Sequence, residues 1–208
     1  MWYGFDPGGT FGVAKISGSG DFECKISRSI AETCAFVEPD ARGLGIDSIL
    51  WWTRRQGGSR HADDIVRRTC IRMGGSSGTV SSINSLQGAM FVPAYLIIGE
   101  LRRRMPNLLV TEAHPKAILR ALGLPIWRPK DSDSSITDGW AEISRYFRIQ
   151  GAPPETEHER DAIIAAVCAR EGAEARWTTD LACNKPDDEV ELDTILGGPV
   201  HYYWPTCA

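Results

Sequence analysis

Four acidic residues stand where they could bind a metal ion together, although they are far apart along the chain. Asp6 and Glu112 close apolar segments, Asp47 interrupts one, and Asp161 precedes a run of small residues. A buried carboxylate without a partner is costly, so each must reach solvent, find a partner or bind a cation. Mg²⁺ and Mn²⁺ prefer oxygen ligands, and two such ions about 4 Å apart can activate water and stabilise the leaving oxygen in phosphodiester hydrolysis.

Each of these acids also has an ordinary structural explanation when it is taken alone. Asp6 is followed by Pro7-Gly8-Gly9, a combination that turns favour. Asp47 and Glu112 could be charges at strand ends that face water, and Asp161 could interact with a helix dipole. The metal site is therefore predicted only if the four side chains converge at one edge of a sheet.

Two histidines and two further acids are candidates for supporting roles. His158 could shuttle a proton or orient the attacking water, or it could be a structural or helix-capping residue. His114 is a weaker candidate of the same kind. Asp63 or Asp64 could add an outer metal ligand, or could simply pair with neighbouring arginines.

Arginines that could bind phosphate are clustered in the sequence, and most of the 23 positive residues are arginines. The guanidinium group matches phosphate geometry, so Arg60, Arg67 and Arg68 are predicted to bind the substrate. The alternative is that they are solvated positions on helix faces. Trp51 and Trp52 could stack on the bases of a single strand, although large aromatic residues after a strand are more often core residues.

Composition limits the class of protein. A length of 208 residues, 42% of them hydrophobic and 24% charged, fits one domain over residues 1–208. The net charge of −4 argues against a protein that coats nucleic acid.

We expect no membrane span, because no long apolar run is present, and a cytoplasmic location, because residues 1–6 do not resemble a signal peptide. The six cysteines form no CxxC pair, so we expect free thiols rather than structural zinc.

The predicted elements form an ordered series of strands and helices. Apolar runs predict three strands within residues 1–28 and another at 44–50, and a fifth is predicted at 107–112. Helical spacing predicts helices at 29–37, 62–73, 91–105, 115–122, 138–149 and 157–172. An acidic tail, 177–208, contains a short terminal strand at 199–204. Strands followed by alternating strands and helices indicate an α/β protein with a mixed sheet flanked by helices, in the RNase H-like order.

Short motifs through most of the chain resemble a known family of predicted RNase H-like nucleases, the domain-of-unknown-function family four hundred and twenty-nine. The matching segments are 4–9, 45–48, 60–67, 110–117 and 158–166, and residues 200–205 are similar to the short terminal strand of that family. His158-x-x-Asp161-Ala162 also looks like the last acidic motif of RuvC-type resolvases.

The resemblance implies a divalent-metal-dependent nuclease with Asp6, Asp47, Glu112 and Asp161 as ligands of Mg²⁺ or Mn²⁺. The implied partner is DNA or RNA, and the sequence leaves open which of the two, and the oligomeric state.

Two other functions remain open. An actin-like or sugar-kinase-type phosphotransferase is one, because Asp6-Pro7-Gly8-Gly9-Thr10 looks like the first phosphate loop of that class. Such enzymes need two domains of this kind, and no second glycine-rich phosphate loop is evident. A catalytically inactive nucleic-acid-binding module is the other, and four intact acids argue against it.

Overall fold

The computed structural model describes residues 1–82, 85–126, 133–183, 189–190 and 196–205. Its strands are β1 (Trp2–Pro7), β2 (Phe11–Ile16), β3 (Phe22–Ser27), β4 (Gly43–Ile46), β5 (Trp52–Thr53), β6 (Leu109–Glu112), β7 (Thr179–Asp180), β8 (Glu189–Val190), β9 (Val200–His201) and β10 (Tyr203–Trp204). Its α-helices are α1 (Ile30–Phe36), α2 (His61–Arg72), α3 (Phe91–Arg104), α4 (Pro115–Ala121), α5 (Asp133–Phe147) and α6 (Glu157–Ala173). Two short 3₁₀ helices, Ser77–Thr79 and Leu86–Met90, lie between α2 and α3.

The main sheet has six strands in the order β3-β2-β1-β4-β6-β9. Strands β3, β2 and β1 form an antiparallel meander, whereas β1, β4, β6 and β9 run parallel. Parallel neighbours require crossover connections, which the helices provide. The predicted mixed sheet with helices is confirmed at this level, as are the three strands within residues 1–28.

Helix α6 lies directly on the sheet because glycines leave room for its backbone. A Cβ atom on Gly4 of β1 would lie 1.9 Å from the carbonyl oxygen of Ala162. A Cβ atom on Gly45 of β4 would lie 1.8 Å from the carbonyl oxygen of Ala165. Glycine within a strand often marks such a close approach of another backbone. The small residues of α6 and the glycines of the strands therefore fix the position of this helix over β1 and β4.

Some predicted elements end elsewhere in the structure. The strand predicted to reach Leu50 stops at Ile46, because the following segment leaves the sheet. The predicted terminal strand is two strands: β9 pairs with β6 and β10 pairs with β7. Helical spacing within 91–105 also predicts that Leu96 is buried, but in the structure it is 47% exposed on α3. The amphipathic pattern there predicted the helix but placed its buried face slightly wrongly.

The helices and the cysteines bear on the expectations of no membrane span and of free thiols. Within the described ranges, no helix combines the length and apolar character needed to cross a membrane. The described cysteines are free, and Cys168 is fully buried in α6, where it packs as a small core residue. Cys207 lies outside the described residues.

Candidate metal centre

Two of the predicted acids are brought together by the pairing of β1 with β4. Phe5 is in register with Ile46, so the next residues along the two parallel strands, Asp6 and Asp47, are neighbours. The backbone N–H of Asp47 donates to the carbonyl oxygen of Phe5 at 2.8 Å, which extends this pairing beyond the end of β4. The carboxyl ends of adjacent parallel strands thus place two carboxylates side by side.

The third acid arrives on α6, whose start is fixed by a capping box. The Thr156 hydroxyl accepts from the Glu159 backbone N–H at 3.2 Å, and the Glu159 carboxylate accepts from the Thr156 N–H at 2.9 Å. With the first turn held in this way and the helix seated on the sheet, Asp161 faces the ends of β1 and β4. One carboxylate oxygen from each of Asp6, Asp47 and Asp161 lies within 4.8 Å of the other two.

Burial and crowding raise the pKa of two of these carboxylates, Asp47 and Asp161. Burial raises the pKa of Asp47 well above its ordinary value, and the nearby charges of Asp6 and Asp161 raise it further. Burial also raises the pKa of Asp161, although neighbouring Arg160 and Lys116 oppose that shift. Such a site favours a cation, because a divalent ion offsets the repulsion among three acids that burial brings close together.

Two charged residues that the sequence analysis gave no role also lie at this site. The Lys116 ammonium, on α4, is 2.7 Å from a carboxylate oxygen of Glu157 and 3.5 Å from one of Asp161. Burial lowers the pKa of Lys116, but the charges of Asp161 and Glu157 outweigh it and the net shift is upward. The sequence feature that could have indicated Lys116 is its position in the first turn of the helix that follows the strand ending at Glu112.

His158 contacts the acid at the end of β1. Its Nδ1 lies 2.6 Å from Oδ2 of Asp6, and its side chain is 45% exposed. The hydrogen bond to Asp6 raises the pKa of His158, and burial only partly opposes this. The sequence predicts either a proton shuttle or a structural residue at this position, and the contact places the imidazole against the carboxylate cluster.

The structure does not bring Glu112 to the three aspartates. Its carboxylate accepts from Arg60 at 2.5 Å (Nη2 to Oε1) and 2.8 Å (Nη1 to Oε2). It also accepts from the backbone N–H of Leu50 at 2.8 Å. Glu112 is fully buried in this network. The physical reason is the segment after β4, which folds back over the end of β6 and supplies a cation and a backbone donor to this carboxylate.

Arg60, predicted to contact substrate, is itself buried, with 1% of its surface exposed. Besides Glu112 it binds Asp63, with Nη2 2.6 Å from Oδ1, and its guanidinium stacks on Trp51 with 4.1 Å between Cζ and the ring centroid. The guanidinium of Arg60 directs its N–H groups to interior partners and not to the surface, so Arg60 is the centre of an internal network. Trp51, 1% exposed, is correspondingly a core residue. The partly buried Trp52 packs edge-on against Phe91.

The other predicted residues lie around this network. Arg67 donates to the Val80 carbonyl at 3.2 Å, and Arg68 is exposed on α2. Asp64 accepts from Ser59 at 2.7 Å. Neither Arg67 nor Arg68 lines the cavities next to the aspartates, so their predicted contact with substrate rests on the sequence alone.

His114 is buried and does not join the cluster. Its Nδ1 is 3.0 Å from the Tyr202 hydroxyl, and its ring stacks on that of Tyr202. Burial lowers the pKa of His114, more than the nearby Glu112 and Asp63 raise it. The side chain is held as a packed, hydrogen-bonded ring beside the Arg60 network.

Two cavities that share lining residues open onto the carboxylates. A hollow of about 320 Å³ is lined by the three aspartates together with Lys116, Thr156, Glu157 and His158. A larger cleft of about 620 Å³ shares several of these residues and continues along α4 and the segment 76–81. The carboxylates are therefore reachable from outside.

Comparison of the chain with protein-family models, with curated proteins and with solved structures gives no match.

Proposed function

We propose that this protein is a divalent-metal-dependent nuclease of the RNase H-like class. The observation that carries the proposal is the meeting of Asp6, Asp47 and Asp161, each contributing an oxygen within 4.8 Å of the others. The chain opens with a three-stranded antiparallel meander and continues with strands that alternate with helices, and this element order, expected from the sequence, supports the fold assignment. The cytoplasmic location expected from the sequence stays a prediction.

The residues present suit a hard cation such as Mg²⁺ or Mn²⁺. All three ligands are carboxylates, without sulfur or imidazole among them, and this is the donor chemistry of those ions. Glu157, whose carboxylate lines the same hollow, would be a ligand of a second ion in place of Glu112. When bound, the cations supply Lewis-acid activation of water and stabilise charge at the phosphate.

The protein's own groups complete the chemistry. His158 holds a proton at Nδ1 against Asp6, which fixes the ring and leaves its other nitrogen to exchange a proton with water in the hollow. Lys116 places a positive charge beside Asp161 and Glu157, where it attracts a phosphate of the substrate once the carboxylates are neutralised by cations. Both groups act only in concert with the three aspartates.

The test is cleavage of labelled DNA and RNA oligonucleotides, single- and double-stranded, with Mg²⁺, with Mn²⁺ and with EDTA. We expect cleavage that needs the metal, and its loss in Asp6→Asn and in Asp161→Asn. Asp40→Asn is the matched control, because this acid is exposed and pairs only loosely with the N-terminus at 3.9 Å. Equal cleavage in all four proteins would refute the site.

Binding of ATP and of nucleic acid, measured beside the cleavage assay, separates the other two functions. Tight ATP binding without any phosphodiester cleavage would favour an actin-like phosphotransferase. Binding of nucleic acid without cleavage under every metal condition would favour an inactive binding module.

A further inference from the structure

The cleft beside the carboxylates carries two cations on one face of α4. Lys116 and Arg120 are four residues apart, so their side chains lie on the same side of this helix. Both line the cleft of about 620 Å³, and Lys116 also lines the carboxylate hollow. The pair therefore forms a short positive row that begins at the carboxylates and leads away from them.

Arg120 has an unfilled hydrogen-bonding position. Its Nε is buried and has no hydrogen-bond partner in the part of the chain that the structure describes. A buried donor without a partner is costly, and one explanation of such a group is a ligand that completes it. Gly75 packs against this part of the side chain, because a Cβ atom there would lie 2.5 Å from Cδ and 2.7 Å from Nε of Arg120. The groups of Arg120 that line the cleft therefore lie beyond this covered part of the side chain.

The remaining lining of the cleft indicates what could accompany the phosphates. Ile49, Met90 and Ile126 provide apolar surface, and Ser76 and Thr79 provide hydroxyl groups. Proteins that bind single strands combine a positive groove with side chains, commonly aromatic, that contact the faces of bases. In this cleft the side chains available for that contact are aliphatic or thioether. A duplex hides those faces within its stack, whereas an unpaired strand presents them. The cleft volume is also in the range of pockets that enclose ligands of a few ring systems.

We infer that the cleft binds a single-stranded segment of nucleic acid, with successive phosphates on Lys116 and Arg120 and bases against the apolar wall. The inference rests on the proposed function, because cations on the aspartates must offset the negative charge next to Lys116 before a phosphate approaches. It adds the substrate class and a direction: the strand runs from the carboxylates along α4 towards Arg120.

The test measures binding separately from cleavage. A fluorescein-labelled single strand and the matching duplex are titrated with the protein in Ca²⁺, and anisotropy is followed over a range of salt concentrations. The variant is Arg120→Gln. The matched control is Arg103→Gln, since Arg103 is 74% exposed at the end of α3, pairs with Glu100 and loses the same charge.

We expect the single strand to bind more tightly than the duplex and Arg120→Gln to weaken it on the order of tenfold. The slope of log K against log salt should become shallower by about 0.7, the loss of one phosphate contact with a single strand. Arg103→Gln should keep the affinity and slope of the unchanged protein. Wild-type affinity and slope in Arg120→Gln, a preference for the duplex, or no binding at all would each overturn the inference.

Cleavage with Mn²⁺ is recorded on the same proteins, so that the two proposals can fail separately. Loss of binding in Arg120→Gln in a protein that never cleaves would sustain the strand path and reject the nuclease. Metal-dependent cleavage with unchanged binding in Arg120→Gln would reject the strand path and sustain the nuclease. A circular dichroism melt confirms that Arg120→Gln is folded, and Arg120→Lys, which keeps the charge, should recover part of the salt slope.

Discussion

Arg60 lies between Glu112 and Asp63 and binds both carboxylates in the interior, with the two closest N···O distances 2.5 and 2.6 Å. This pairing explains why an acid at the end of β6 does not reach the three aspartates at the ends of β1 and β4, where we propose the metal site. It also ties the segment after Asp47 to the sheet, because Glu112 accepts from the Leu50 N–H and Arg60 donates to the Trp51 carbonyl.

A structural role for Glu112 predicts a loss of stability rather than of metal binding. Glu112→Gln removes one of the two charges that offset buried Arg60, so we expect unfolding to become easier by about 3 kcal/mol. For a chain of this size that corresponds to a fall in melting temperature of roughly 8 °C. Below that temperature, Mn²⁺ affinity measured by calorimetry should stay within about threefold. A stable variant that no longer binds Mn²⁺ would instead make Glu112 a ligand.

The seating of α6 on the sheet predicts a strong effect at Gly45. In Gly45→Ala the added Cβ would meet the backbone of Ala165, which cannot move aside as a side chain can. We expect a destabilisation of at least about 3 kcal/mol and weaker Mn²⁺ binding, because Asp161 would shift with the helix. Gly99→Ala, in α3 with no atom within 4 Å of the new Cβ, is the control. It should stabilise the protein by up to about 1 kcal/mol. Similar melting temperatures for the two variants would contradict this account of the packing.

The repulsion among the aspartates predicts that losing one charge stabilises the metal-free protein. Burial and the neighbouring acids raise the pKa of Asp47, so ionising it opposes folding. The Asp47 carboxyl therefore contributes favourably to folding stability below its unfolded-state pKa of about 3.9. This contribution is lost as pH rises through the raised pKa of the folded state. The raised pKa of His158 acts in the same direction, since its contribution is lost as pH rises through its folded value.

Asp47→Asn in EDTA should therefore unfold at a higher temperature than the unchanged protein near neutral pH, by about 1 kcal/mol in stability. Its stability should also fall less steeply between acidic and neutral pH. Thermal melts over this pH range provide the measurement, and added Mn²⁺ should stabilise only the unchanged protein. A metal-free Asp47→Asn that melts lower at neutral pH would be at odds with crowded, destabilising carboxylates.

Lys116 should oppose the metal, because its ammonium is 3.5 Å from a carboxylate oxygen of Asp161. We expect Lys116→Gln to increase Mn²⁺ affinity on the order of tenfold, since a nearby positive charge is removed. The single-strand affinity should fall in the same variant. Calorimetric titration with Mn²⁺ tests the first effect, and weaker Mn²⁺ binding would show that Lys116 instead holds the ligands in position.

The sequence was informative where local patterns govern the structure and less so where distant segments meet. Asp6 closes one apolar run and Asp47 interrupts another, so a meeting of the two at one edge of a sheet could be proposed from the sequence. The adjacency of β1 and β4, and the end of β4 at Ile46, could not be predicted from it. The position of Glu112 depends on the segment from Asp47 to Arg60, which folds back so that Arg60 reaches the Glu112 carboxylate. Nothing in the local sequence of that segment or of β6 specifies this contact. The glycine at position 45 carried a signal that a backbone approaches closely, but not that the approaching backbone belongs to α6.

The central claim is that Asp6, Asp47 and Asp161 share a divalent cation, and anomalous diffraction from a crystal containing Mn²⁺ tests it most directly. The account predicts a strong anomalous peak between the three carboxylates, with an oxygen of each about 2.0–2.2 Å away, and Glu112 still bound to Arg60. An empty cluster at saturating Mn²⁺, or a peak coordinated by Glu112 instead of these aspartates, would contradict it.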